Sequence, residues 1–152
     1  MEIILVDTSV WINFFKGVDT PSSRYLKENL SNCLVATCST IVQEVLQGVR
    51  SENQFQELKS FFLNLLHLPE TSSLDIAIQG ATLYRSMRKL GVTVRQPNDC
   101  LIACYAINHG IPLLHDDRDF ELIERHSKLN IVRFQVNRLE EPNERVYGLK
   151  ES

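Results

Sequence analysis

Short, uninterrupted apolar runs alternate along this chain with longer stretches in which apolar residues recur every three or four positions. Ile3 to Val6, Cys33 to Ala36 and Ile111 to Leu114 are too short for helices, and they have the continuous apolar character of strands covered on both faces. Ile131 to Phe134 adds a last strand. Between the runs lie helical patterns. Thr8 or Ser9 opens a helix through Phe15 that ends near Lys16-Gly17, and Pro21-Ser22 opens a second with Tyr25, Leu26 and Leu30 as its stripe. Thr40 with Gln43 has the form of a capping box, starting a helix that reaches about Gly48.

Phe55, Leu58, Phe61, Phe62, Leu65 and Leu66 recur at helical spacing and predict one helix from Glu52 to Leu66. Ile76, Ile78, Ala81, Leu83, Tyr84 and Met87 do the same from Leu74 to Leu90, where Gly91 ends the helix. Pro97-Asn98-Asp99 starts a helix whose body, Cys100 to Ile107, is apolar all round, the mark of burial on most faces; His109-Gly110 ends it. Phe120, Leu122 and Ile123 make a short helix. Strands alternating with helices predict an α/β domain whose central, mostly parallel sheet of four to five strands is flanked by helices. The domain is expected to span residues 1–135, and the charged segment 136–152 to form a C-terminal tail outside the core.

That architecture gives meaning to four acids. Asp7 closes the first strand, Asp99 opens the apolar helix, Asp117 follows the run ending at Leu114, and Glu44 lies in the first turn of the helix that follows the second strand. In open parallel sheets the carboxyl ends of strands share one crevice, so residues distant in sequence converge there. Each acid has a plainer reading: Asp7 and Asp99 as helix caps, Glu44 as a dipole-favoured surface residue. Asp116, Asp117 and Asp119 crowd one strand end, an arrangement that needs a cation, and Arg118 is the nearby arginine. Oxygen ligands without supporting thiolate or imidazole spacing select a hard ion, Mg²⁺ or Mn²⁺, and point to metal-assisted phosphodiester chemistry.

Composition changes this picture little. The formal net charge of -3 supplies no global basic field for nucleic acid, but divalent ions on the acids reverse the local potential. Cys33, Cys38, Cys100 and Cys104 lie in or beside apolar runs without a zinc spacing, and are expected to be reduced, buried small hydrophobes. No stretch approaches the roughly 18 apolar residues of a membrane-spanning helix, and Met1-Glu2 lacks the basic start of a signal peptide. A cytoplasmic protein is expected.

The order of the motifs is the specific signal. Val6-Asp7-Thr8-Ser9-Val10-Trp11-Ile12, then Glu44 within Ile-Val-Gln-Glu-Val-Leu-Gln-Gly, Asn98-Asp99-Cys100-Leu101-Ile102-Ala103, and His115-Asp-Asp117-Arg-Asp119-Phe120 resemble the four motifs of PIN-domain nucleases. They are most similar to the VapC-type toxins of prokaryotic toxin–antitoxin pairs. The resemblance runs from Met1 to about Phe134. The fourth motif departs from the commoner pattern, which has Thr or Ser where His115 stands.

This resemblance implies a PIN-like fold and metal-dependent endonucleolytic cleavage of RNA, leaving a 5′-phosphate and a 3′-hydroxyl. Asp7, Glu44, Asp99 and Asp117 would be the catalytic metal ligands. Thr8, Ser9, Asn98, His115 and Asp119 would support them, with His115 either orienting the attacking water or bonded to a backbone carbonyl. The partners implied are an RNA substrate, a small antitoxin protein that places an Arg or Lys among the acids, and a second copy of the chain in a homodimer. Arg85, Arg88, Lys89 and Arg95 either guide an RNA backbone or form a solvated face. Three other readings compete: a housekeeping RNA-processing nuclease, a non-catalytic module on the same fold, and a receiver-like phosphoacceptor. The last needs a neighbouring acidic pair and a late lysine, which Asp7 and Leu113-Leu114-His115 do not supply.

Overall fold

The computed structural model describes residues 1–134 of the chain. Its elements run β1 (Glu2–Val6), α1 (Thr8–Lys16), α2 (Pro21–Asn29), β2 (Cys33–Thr37), α3 (Ser39–Gln47), α4 (Glu52–Leu63), β3 (Leu66–His67), α5 (Ser73–Lys89), α6 (Pro97–His109), β4 (Leu113–Leu114) and α7 (Asp119–Arg125). The four strands form one sheet in the order β3-β2-β1-β4, and every pairing is parallel. From β1 the chain builds outward through β2 to β3, then returns to lay β4 on the opposite side of β1. The strand order therefore reverses between β1 and β4. In a parallel sheet this is where a crevice opens at the carboxyl ends.

Helices on both faces seal the sheet. Ile4, Leu5, Val6, Val35, Ala36, Leu113 and Leu114 are buried, as continuous apolar strands require. Trp11 of α1 is completely buried, stacked on Phe15 and edge-on to Phe61 and Phe62 of α4. Helix α6 is buried along most of its length, from Asp99 to Ala106 except for Leu101, as its all-round apolar body predicts. It packs on α5 at Gly80, where an added Cβ would meet the Leu101 backbone at 3.4 Å. Helices α1 and α6 end at Gly17 and Gly110, both left-handed. There Val18 donates back to Asn13 and Ile111 to Ala106, closing the last turns. The four cysteines are free and buried, as expected.

The structure corrects several local expectations. Thr40 and Gln43 form no capping box: the Cys38 carbonyl already accepts the Val42 N–H at 3.1 Å, so α3 starts two residues earlier with Cys38 as an N-cap without a side-chain bond. Glu44 consequently stands in the second turn. The predicted helix to Leu66 stops at Leu63, because Leu66 and His67 instead pair with Ala36 and Thr37 as edge strand β3. Ile131 to Phe134 is no strand: it makes a single bridge, Ile131 to Leu113, after which Phe134 stacks on Tyr25 at 5.0 Å. The sheet thus has four strands among the described residues. The expected tail at 136–152 lies outside them.

Candidate metal centre

Asp7 is the N-cap of α1, and one of its oxygens, Oδ2, accepts the Ser9 N–H at 3.0 Å and the Ser9 hydroxyl at 2.5 Å. Its second oxygen, Oδ1, is buried without a hydrogen-bond partner. Asp99, in the first turn of α6, is only 5% exposed, and its Oδ2 is likewise buried and unpaired among the described residues. The cap reading of Asp7 is therefore correct but incomplete, because a cap uses one carboxylate oxygen and leaves the other over. An unpaired buried carboxylate oxygen is a costly state that a cation relieves.

Asp117 and Asp119 join Asp99. One ligand oxygen from each of these three residues lies within 4.8 Å of the others. Asp117 reaches this point from the segment leaving β4, and Asp119 from the start of α7. Glu44 comes from α3, half-buried, and its Oε1 accepts the Thr8 hydroxyl at 3.2 Å. The charges of these acids act on one another. Burial first, and then the charges of Asp7, Asp117, Glu44 and Asp119, push the Asp99 carboxyl up to about 8. Burial also raises Asp7 against the hydrogen bonds from Ser9, and it raises Glu44, with Asp7 adding repulsion.

The supporting residues divide. Ser9 bridges Asp7 and the Asp116 N–H, and Thr8 positions Glu44. Asn98 is exposed, and no described carboxylate accepts from it. His115 packs against Phe120, with ring centres 5.4 Å apart. Its Nδ1 is buried without a partner, while a hydrogen bond with the Asp117 backbone acts on the ring, as the plainer reading expects. Burial lowers its pKa, which favours the neutral ring despite the attraction of Asp7.

Asp116 points elsewhere: its Oδ2 accepts the Thr20 hydroxyl at 2.7 Å and the Asn13 amide at 2.9 Å. β4 ends at Leu114, so Asp116 and Asp117 diverge beyond the strand. Asp119 does not cap α7, whose N-cap position is Arg118. Instead Asp117 Oδ1 accepts the Asp119 N–H at 3.0 Å, freeing the Asp119 carboxylate for another partner.

That partner is Arg95, and its role is the main one missed from sequence. Arg95 donates to Asp119 Oδ2 through its backbone N–H at 3.0 Å and through Nε at 3.2 Å, while Nη2 reaches Asp117 Oδ1 at 3.1 Å. Arg118, the expected counter-ion, is exposed and makes no ion pair among the described residues. A direct neighbour in sequence was the wrong place to look, because the loop before α6 folds back over the start of α7. Of the basic segment, Arg88 lies over the Tyr84 ring at 5.7 Å, and Arg85 and Lys89 are exposed on α5.

The donor set fits a hard divalent ion. It consists of carboxylate oxygens, and buried oxygens of Asp7 and Asp99 lack a partner; burial pushes the Cys38 and Cys100 thiols up to about 12, and neither belongs to the close group of Asp99, Asp117 and Asp119. Beside the cluster an open groove of about 930 Å³ is lined by His115, Asp117, Arg118, Arg125, Arg133 and Phe134, among others.

A parallel four-stranded sheet with an acidic crevice at its switch point defines a class, and comparison with known proteins agrees. The PIN domain family matches residues 4–126, and the chain belongs to that family. Ribonuclease VapC11 of Mycobacterium tuberculosis is 34% identical over 135 residues, covering 88% of this chain and 100% of that protein. VapC ribonuclease Mb1587 of Mycobacterium bovis matches to the same extent. The fold is similar to the crystal structure of VapBC2 from Rickettsia felis bound to a DNA fragment from its promoter (TM-score 0.66, 20% identity, 86% of this chain and 97% of that one). It is also similar to VapBC-5 from Mycobacterium tuberculosis (TM-score 0.59, 21% identity, 88% and 100%).

Proposed function

We propose that this chain is a metal-dependent endoribonuclease acting as the toxin of a toxin–antitoxin pair. The observation that supports the reading is the close group of Asp99, Asp117 and Asp119, with the charges of Asp7 and Glu44 acting on Asp99 and buried oxygens of Asp7 and Asp99 left unpaired. The ligand set is Asp7, Glu44, Asp99 and Asp117, with Asp119 contributing through the close triad it forms with Asp99 and Asp117. The ion is Mg²⁺ or Mn²⁺, because the donors are carboxylates. When bound, such an ion lowers the pKa of an attacking water and neutralises charge building on the phosphate oxygens.

The protein's own part is positioning and charge. Ser9 fixes the Asp7 carboxylate so that its free oxygen is presented at the crevice, and Thr8 does the same for Glu44. Asp99 must give up its proton for the site to fill, so metal binding releases a proton and weakens as pH falls below about 8. Neutral His115, wedged against Phe120 beside the groove, offers a polar nitrogen to substrate or water without adding charge. No nucleophilic side chain is needed.

RNA reaches the acids along the groove that carries Arg118, Arg125 and Arg133. A small antitoxin silences the enzyme by setting an Arg or Lys among the carboxylates, where a planar guanidinium pairs well. The active form is a homodimer in the cytoplasm, where its RNA substrate resides. Among the described residues no helix is long and apolar enough to cross a membrane.

The decisive experiment incubates the purified chain with total RNA, removes divalent ions with a chelator, and restores Mg²⁺ or Mn²⁺. Cleavage is expected to stop and resume, with new 5′-phosphate ends at discrete positions. Cleavage that persists in the chelator, or that survives D99N, overturns the reading.

A further inference from the structure

Arg95 occupies an unusual position for a residue outside the four acidic motifs. Its guanidinium is the ion-pair partner of Asp117 and Asp119, two of the three acids whose oxygens converge within 4.8 Å. The attachment is uneven. The backbone N–H of Arg95 and its Nε both hold Asp119 Oδ2, whereas Nη2 alone reaches Asp117 Oδ1. Asp119 is 4% exposed in its side chain and Asp117 25%, but the Arg95 side chain is 60% exposed. The arm thus lies over the rim of the cluster, while the carboxylates it holds lie beneath.

We propose that Arg95 is a built-in counter-ion of the acid cluster, which a divalent ion must displace from Asp117 and Asp119 to occupy the site. The inference rests on the metal-dependent reading above and deepens it. Three acids crowded together need positive charge whether or not metal is present. Arg95 supplies it, and so keeps the empty cluster from springing apart. A carboxylate bonded to a guanidinium has less lone-pair density to give an entering ion, so the two cations compete for the same two carboxylates. Exposure of the arm makes release feasible: the guanidinium can rotate into solvent, where it is fully hydrated. The backbone bond from the Arg95 N–H to Asp119 survives that rotation, so Asp119 remains aimed after the side chain has left. Arg95 is in this sense a positioning residue that sets the affinity of the site for metal.

The competition predicts a sign opposite to that of a merely structural residue. Removing a stabilising contact from a metal site ordinarily weakens metal binding, whereas removing a competitor strengthens it. Mn²⁺ is titrated into the full-length chain and followed by electron paramagnetic resonance of the free ion, with no RNA present. R95Q is expected to bind Mn²⁺ about fivefold more tightly than wild type, the scale of an exposed ion pair, and to melt at a lower temperature without metal. R50Q, which removes the same charge from the α3–α4 connection, controls for net charge and is expected to bind as wild type does. R95K keeps the charge but cannot span both carboxylates, and should fall between the two. If R95Q does not fold, R95K decides.

Equal or weaker Mn²⁺ binding in R95Q (or in R95K, where only that variant folds) overturns the proposal, as does a gain matched by R50Q. D99N separates this failure from failure of the metal site itself. Mn²⁺ binding that D99N leaves intact refutes the acid cluster as the metal centre and the proposal with it. Binding that D99N abolishes while R95Q leaves it unchanged refutes the role of Arg95 alone.

Discussion

Replacing Asp99 by Asn keeps the shape of a buried side chain and removes a charge that the fold accommodates poorly. Its carboxyl sits at about 8 against an ordinary 3.8. The folded chain therefore holds a proton that the unfolded chain gives up, and the associated stability is full below about pH 4 and lost as pH rises towards 8. Without metal, the wild-type melting temperature should fall across that window. D99N should flatten the slope and melt roughly 5 °C higher at pH 8. Calorimetry over the range checks it, and a D99N curve parallel to wild type contradicts it. RNA cleavage by D99N should drop by more than about 100-fold. Asp116 and Asp117 separate differently. D116A strips the partner from Asn13 and Thr20 and should cost about 1–2 kcal/mol in urea unfolding while keeping Mn²⁺ binding. D117A should lose Mn²⁺ binding and activity. Equal loss of metal binding in both variants would place Asp116 in the site.

Among the elements, α6 matters most, because it carries Asp99 into the core and leans on α5 through Gly80. An alanine Cβ there meets the Leu101 backbone at ordinary contact distance, so the gain in helix propensity offsets mild crowding. G80A should be neutral to slightly stabilising. G80L has nowhere to place its branch, and should destabilise by about 1–3 kcal/mol and lower Mn²⁺ affinity by shifting Asp99. Chemical denaturation of both variants distinguishes a tight interface from a loose one, since a tolerated G80L means that the helices can part. Most helices were legible because caps and periodicity are local: Pro97 at the first position of α6 and Gly110 at its end needed no tertiary information. Edge strand β3 was not legible. Leu65 and Leu66 continue the helical spacing of Phe61 and Phe62, and only pairing with Ala36 and Thr37 turns Leu66 and His67 into a strand.

At the scale of the whole molecule, metal binds the folded chain alone, because the acids are dispersed along an unfolded one. Mn²⁺ at a hundred times its dissociation constant should therefore add about 2.7 kcal/mol and raise the melting temperature by roughly 8 °C. D99N should show no such rise, and a rise of equal size in D99N would put the ion elsewhere. Expression of the chain alone should arrest growth, whereas D99N should not. Unimpaired growth with soluble, metal-competent enzyme would instead favour a housekeeping nuclease. Inhibition by a partner that sets Arg or Lys among the acids should weaken as salt rises, because charge-assisted contacts are screened.

What the sequence determined by itself was the alternation of strand and helix, the buried character of α6, and the order of Asp7, Glu44, Asp99 and Asp117 along the chain. These are local matters, set by apolar spacing and by the residues that start and stop helices. Tertiary structure alone decided that Asp119 joins Asp99 and Asp117 in the close triad, that Asp116 turns away to Asn13 and Thr20, and that Arg95 rather than Arg118 answers the crowded charges. Each depends on which segments the crossover from β3 to β4 brings against one another, across separations of 22 residues for Arg95 and Asp117 and 103 for Asn13 and Asp116. Periodicity carries no information over such distances. A charged side chain pairs with whatever opposite charge the folded backbone presents, and that partner is chosen only once the sheet has closed.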